Sequence, residues 1–177
     1  MNPEEYLDGQ LEQLRRSGFS CLFGPTEWKS WPPPLNKILL VAVIIPHAPG
    51  VVATLACTET LGADVPTVQA KGLFSHESLF ARKWCPIPEL PQWVSTKDKR
   101  PDRDGSFLVL TKKNDVLLTD VCRALYGNLA FVCSLNVMVP GPPGEPSKML
   151  HGDVRIEPSS WIEAPACPAS EEGIAPG

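Results

Sequence analysis

The sequence predicts an all-β fold, an antiparallel β-sandwich or jelly roll, with a short N-terminal helix and one short internal helix. Three observations carry this prediction. Twenty prolines and 13 glycines in 177 residues are spread along the chain and cut it into short pieces. That spacing excludes long helices, coiled coils and helical repeats. The strongest apolar segments, KILLVAVII at 37–45 and LAFVCSLNVMV at 129–139, are short and rich in β-branched residues. A hydrophobic content of 43% against 20% charged residues is enough to build a packed core. The predicted organisation is an N-terminal helix and Trp/Pro-rich cover segment over 1–35, one β-sandwich domain over 36–162, and a disordered acidic tail over 163–177.

Each element has a local cause. Over residues 1–17, Asn2 caps a helix, Pro3 suits its first position and Glu5 completes a capping box. Tyr6, Leu7, Leu11 and Leu14 recur at helical spacing, and Gly18 stops the run. Residues 19–35 hold Trp28, Trp31 and three consecutive prolines, which suits an extended segment covering an open side of a sheet. Lys37–Ile45 lacks polar alternation and reads as a strand covered on both faces. The Pro46–Gly50 turn joins it to Val51–Cys57 as an antiparallel hairpin. Val65–Leu73 is a further strand, and the prolines between Trp84 and Trp93 require an extended or looped path.

Lys97–Gly105 is a charged exposed loop, Ser106–Thr111 a strand, and 112–115 a polar turn. Asp115–Tyr126 reads as the internal helix, with Asp115 as cap and Gly127 as stop. In Leu129–Val139 one face is wholly apolar at period two, whereas the other includes Ser134 and Asn136. Met149–Glu157 alternates: Leu150, Val154 and Ile156 face one way, and His151, Asp153, Arg155 and Glu157 the other. That is the pattern of a half-exposed antiparallel strand. About seven short strands result, linked by long turns.

The formal net charge of −4 argues against a chain that is basic throughout and wraps nucleic acid. No apolar run reaches ~18 residues, so no transmembrane segment is expected. The stretch MNPEEYLDGQ is acidic and does not read as a secretory signal. Cys21, Cys57, Cys85, Cys122, Cys133 and Cys167 include no C-x-x-C pair. They read as free, mostly buried thiols in an intracellular, reducing compartment.

No phosphate-binding glycine loop and no G-x-S-x-G elbow occurs. His47, His76 and His151 have no His or Cys at metal-ligand spacing. Asp102 and Asp104 sit among Lys and Arg as solvated charge rather than as an acid–base pair. The expectation is a non-enzymatic protein without cofactor or metal.

Charge distribution says more than net charge. Between Arg82 and Lys113 eight basic residues face four acidic ones, whereas from Glu145 onward six acids face two bases. Lys97, Lys99, Arg100, Arg103, Lys112 and Lys113 are the candidate phosphate contacts for single-stranded RNA. Trp84 and Trp93, interleaved with this region, are candidate stacking platforms.

The order KILLVAVIIPHAPGVVATLACTETLGADVPTVQAKGLF, a charged middle, SFLVLT and LAFVCSLNVMV resembles the thirty-kilodalton superfamily of plant-virus cell-to-cell movement proteins and the related viral jelly-roll coat proteins. The resemblance spans roughly Asn36–Val139 and lies in the strand pattern. Where such proteins carry an Asp after the second strand, this chain reads Cys57-Thr58-Glu59-Thr60, so Glu59 stands in its place. The resemblance implies non-specific, cooperative binding of single-stranded RNA, self-association, and a location in host cytoplasm and at plasmodesmata. Other readings are a viral coat or structural protein, and a cellular β-sandwich interaction module. The latter would engage a protein partner through the N-terminal helix or the Trp28–Pro34 segment. A further reading is an enzyme whose site is assembled from distant residues. The acidic N-terminal segment, with Glu4, Glu5, Asp8 and Glu12, counts against a basic genome-packaging arm.

Overall fold

A computed structural model of the chain describes residues 2–44, 50–60, 68–69, 81–122 and 129–168. The fold is all-β with one N-terminal α-helix, of the sandwich class that the sequence predicts. Where the sequence suggests one domain over 36–162, the chain divides into two compact units built from discontinuous segments. Unit 1 is Met1–Gln13 with Val94–Ala164, and unit 2 is Leu14–Trp93 with Pro165–Gly177.

Helix α1 spans Pro3–Arg16. Its capping box forms as the sequence requires: Glu5 N donates to Asn2 Oδ1 at 2.8 Å, and Asn2 N donates to Glu5 Oε2 at 3.2 Å. Leu7, Leu11 and Leu14 are its buried residues. Gly18, at φ +75°, ends the run in the left-handed conformation.

Unit 2 contains β1 (Ser20–Cys21), β2 (Phe23–Gly24), β3 (Lys29–Ser30), β4 (Lys37–Ile44), β5 (Val51–Cys57), β6 (Glu59–Thr60), β7 (Val68–Gln69), β8 (Ala81–Cys85) and β9 (Ile87–Pro88). Strands β4 and β5 pair antiparallel from Ile38↔Cys57 to Ile44↔Val51, as expected of a hairpin. On its other edge β4 meets β1 in parallel and β8 antiparallel. Ile38 through Val43 are all buried, which explains why this strand shows no polar alternation. Leu39, Val41, Val43, Ala56 and Trp84 form a core cluster, with Leu22 and Trp31 packed against it. The Trp/Pro segment thus does cover a sheet, and it also contributes β3, which pairs with β8.

Unit 1 holds one six-stranded sheet. Its strands are β10 (Val94–Ser95), β11 (Gly105–Leu110), β12 (Val116–Cys122), β13 (Ala130–Val139), β14 (Lys148–Ile156) and β15 (Ser160–Glu163), in the order β10-β15-β11-β12-β13-β14. A 3-10 turn at Leu90–Gln92 precedes β10. The antiparallel registers put Trp161, Phe107, Val109, Leu117, Val121, Phe131, Cys133, Leu135 and Val154 on one face. All nine are buried. Phe107 meets Phe131 and Trp161 edge-on, with ring centroids 6.3 and 5.4 Å apart.

Of the internal helix expected over 115–126, Val116–Cys122 is instead strand β12. Its VLLTDVC sequence also alternates at period two. It pairs with β11 on one edge and β13 on the other, so two ladders take up its backbone groups and override the capping signal of Asp115. Residues 123–126 of that expected helix lie outside the described residues, as do 46–49 of the expected turn and most of the strand expected over 65–73. The segment expected to begin a disordered tail at 163 is placed through residue 168. Glu163 ends β15, Ala164 N donates to Ser106 O at 3.0 Å, and Trp28 Nε1 donates to Ala166 O at 2.9 Å.

Candidate nucleic-acid interface

The basic residues of the middle region belong to two loops of unit 1, and the sheet register determines where each emerges. Both β10 and β11 run antiparallel to β15, with Ser95 and Leu110 each opposite Ser160. They are therefore parallel to one another, and residues 96–104 must cross β15 to connect them.

Polar contacts hold this crossover. Thr96 N donates to Ser159 O at 3.1 Å, and Thr96 Oγ1 donates to Pro158 O at 2.8 Å. The amides of Asp98 and Lys99 both donate to Ser95 O. Trp161 Nε1 donates to Lys99 O at 2.8 Å, which ties the loop to the aromatic group of the sheet.

The second loop, between β11 and β12, is a turn closed on Thr111. Its Oγ1 accepts from the amides of Lys113 and Asp115 and donates to Asp115 Oδ2 at 3.2 Å. Asn114 adopts φ 65°, a left-handed conformation that Asn tolerates well. Ser159 joins the two loops: its N donates to Leu110 O at 2.8 Å while its O accepts from Thr96 N. Lys97 on the crossover and Lys112 and Lys113 on the turn therefore leave the sheet at the same end.

The six candidate phosphate contacts fall into two groups. Arg100 pairs with Glu157 at 3.0 Å, and Arg155 approaches the other oxygen of Glu157 at 3.5 Å. Arg103 pairs with Glu163. Both arginines thus have carboxylate partners within the sheet, in exposed pairs of small energetic weight, and Arg100 shares its glutamate with Arg155. Lys97, Lys99, Lys112 and Lys113 are exposed, and among the described residues none has a carboxylate at ion-pair distance.

The two tryptophans belong to unit 2. Trp84 is only 8% exposed, its Nε1 donates to Ser30 O at 3.0 Å, and Lys29 Nζ lies 5.3 Å from its ring centre. Its ring is committed to the core. Trp93 is half-buried and donates from Nε1 to Pro88 O at 3.0 Å. Sequence reasoning missed Thr96, Thr111 and Ser159 among the residues that shape the loops, and read Asp115 as a helix cap. Thr96 and Ser159 bond carbonyls 62 and 49 residues away, which no local signal marks, whereas Thr111 and Asp115 bond each other across four residues.

The cysteines are free. Burial, aided by Cys167, pushes the Cys85 thiol up to about 12. Burial, with Asp120 and Asp153 nearby, pushes Cys133 up to about 11. A nucleophilic cysteine needs the opposite shift, so both thiols stay protonated and inert at neutral pH. Among the described residues no three His, Cys, Asp or Glu side chains come together as a metal site, and no helix is long and apolar enough to cross a membrane. Comparison with family models, curated proteins and solved structures finds no match to this chain.

Proposed function

We propose that this chain is a non-enzymatic protein of the viral movement type that binds single-stranded RNA without sequence preference, acting in host cytoplasm and at plasmodesmata. Lys97, Lys99, Lys112 and Lys113 make the phosphate contacts. The observation that supports this reading is the grouping of exposed lysines that have no carboxylate at ion-pair distance among the described residues, three of them at one end of the unit 1 sheet. Arg100 and Arg103 hold the crossover loop to Glu157 and Glu163 and make a smaller contribution. Phosphate contacts of this kind carry affinity but no sequence information.

The test is a binding isotherm on single-stranded RNA across a salt series. Four contacts give a slope of about −3 in log K against log salt. Replacing the four lysines by Ala should abolish most binding and flatten the slope, whereas Arg100→Ala with Arg103→Ala should leave most of it. Absence of binding at low salt, or a four-lysine variant that binds as the parent does, rejects the proposal.

A further inference from the structure

Strand β14, Lys148–Ile156, is the last strand of the unit 1 sheet, and among the described residues no strand pairs with its outer edge. Natural proteins blunt such edges with prolines, bulges, short length, charged side chains or a covering element. This edge is nine residues long, contains no proline, keeps an unbroken register with β13, and carries charged side chains at Lys148, Asp153 and Arg155 of its nine positions.

Its exposed face is also pre-arranged. His151 Nδ1 meets Asn136 Oδ1 at 2.5 Å, which leaves Nε2. Asp153 Oδ1 accepts from Ser134 Oγ at 2.7 Å, which leaves Oδ2. Met149, 49% exposed, lies on the same face.

We propose that β14 pairs antiparallel with β14 of a second copy of this chain, about a twofold axis at Gly152. That register uses all nine residues. It sets His151 against Asp153 of the partner subunit and Asp153 against His151 of the partner subunit, two imidazole–carboxylate pairs related by the axis. On the other face Leu150 meets Val154 of the partner subunit. The neighbouring registers are worse. An axis at Asp153 opposes two aspartates and sets His151 against Arg155. An axis at His151 opposes two histidines. An axis at Val154 sets Leu150 against Pro158, which has no amide to donate, and shortens the ladder. Two carboxylates directly opposite on a sheet repel, and every shift of the axis shortens the ladder, so the first register is selected. The interface is isologous and closes as a dimer. This inference does not depend on RNA binding.

Sedimentation of the full chain over a concentration series tests it, with far-UV circular dichroism confirming that each variant is folded. The parent is expected to dimerise. His151→Asp should weaken the dimer by roughly tenfold, and His151→Asp combined with Asp153→His should restore it. Met149→Lys, at an exposed side chain that folding does not need, should also weaken it, because it faces Arg155 of the partner subunit. A parent that stays monomeric overturns the proposal. So does a dimer indifferent to His151→Asp and Met149→Lys, or a folded double variant that fails to recover.

Discussion

Thr58 is fully buried although polar, and its contacts explain why. Its Oγ1 donates to Pro34 O at 2.6 Å and accepts from Lys37 N at 3.1 Å, while its backbone exchanges hydrogen bonds with Asn36 and Lys37. One side chain thus sews the end of the proline run to the start of β4. Thr58→Val keeps the shape but leaves the Pro34 carbonyl and the Lys37 amide unpaired, and should cost about 1–3 kcal/mol in urea unfolding. The buried thiols make a prediction of opposite origin. Their folded pKa values, about 12 for Cys85 and about 11 for Cys133, lie above the value of an unfolded thiol. As pH rises past roughly 8.5 the unfolded chain releases these protons first, so it binds fewer than the native state and stability falls. The loss is absent below that pH and levels off once the folded thiols also ionise. Urea unfolding at pH 7, 9 and 10 should show a decline approaching about 1.4 kcal/mol per pH unit per thiol. Cys85→Ala should remove its share of the slope. The burial of these cysteines was legible from their apolar neighbours. Thr58 was not, because its polarity resembles that of the Glu59-Thr60 pair beside it and its partners lie more than twenty residues away.

At the level of elements, α1 and β14 depend on each other through a glycine. A Cβ on Gly152 would lie 2.1 Å from Pro3 Cγ and 2.7 Å from Pro3 Cβ. Gly152→Ala should therefore displace the start of α1 and destabilise unit 1 by about 1–3 kcal/mol, seen as a lower urea midpoint and reduced helical signal. The turn on Thr111 offers a second case. Thr111→Val removes the acceptor for the Lys113 and Asp115 amides and should cost about 1–2 kcal/mol. It should also weaken RNA binding, because Lys112 and Lys113 lose their fixed direction. Period-two patterns made β13 and β14 readable, and branched apolar runs made β4 and β5 readable. Strand β12 was misread because Asp115 followed by an apolar run resembles a helix start. What decides its conformation is pairing on both edges, which no local pattern records. Short strands such as β1, β2, β3 and β9 were equally unreadable: each is two residues long and owes its form to the strand it borders.

On the scale of the whole molecule, each unit is assembled from segments far apart in sequence. The residues closing unit 2 arrive after all of unit 1: Trp28 Nε1 donates to Ala166 O. Deleting residues 165–177 should lower the stability of unit 2, measured as faster proteolysis within 14–93, and leave the sheet of unit 1 protected. The sequence suggests one continuous domain followed by a tail because composition changes near residue 163. A composition boundary marks where charge and proline accumulate. It does not mark where backbone groups find partners, and here those partners extend to Ala166. The placement of the basic loops was half legible for the same reason. Their charge is visible in the residues themselves, but the pairing of Arg100 and Arg103 depends on glutamates some sixty positions later.

The clasp between Trp28 and Ala166 has a consequence for biosynthesis. The two residues are 138 positions apart. At translation speeds of roughly 5–20 residues per second, Ala166 emerges on the order of ten seconds after Trp28. During that interval the nascent chain carries an incomplete unit 2 whose branched hydrophobic strands are already made. Synthesis is therefore the period in which β4 and β5 exist without the Trp28–Ala166 clasp, and a chaperone that binds exposed apolar strands would meet them then.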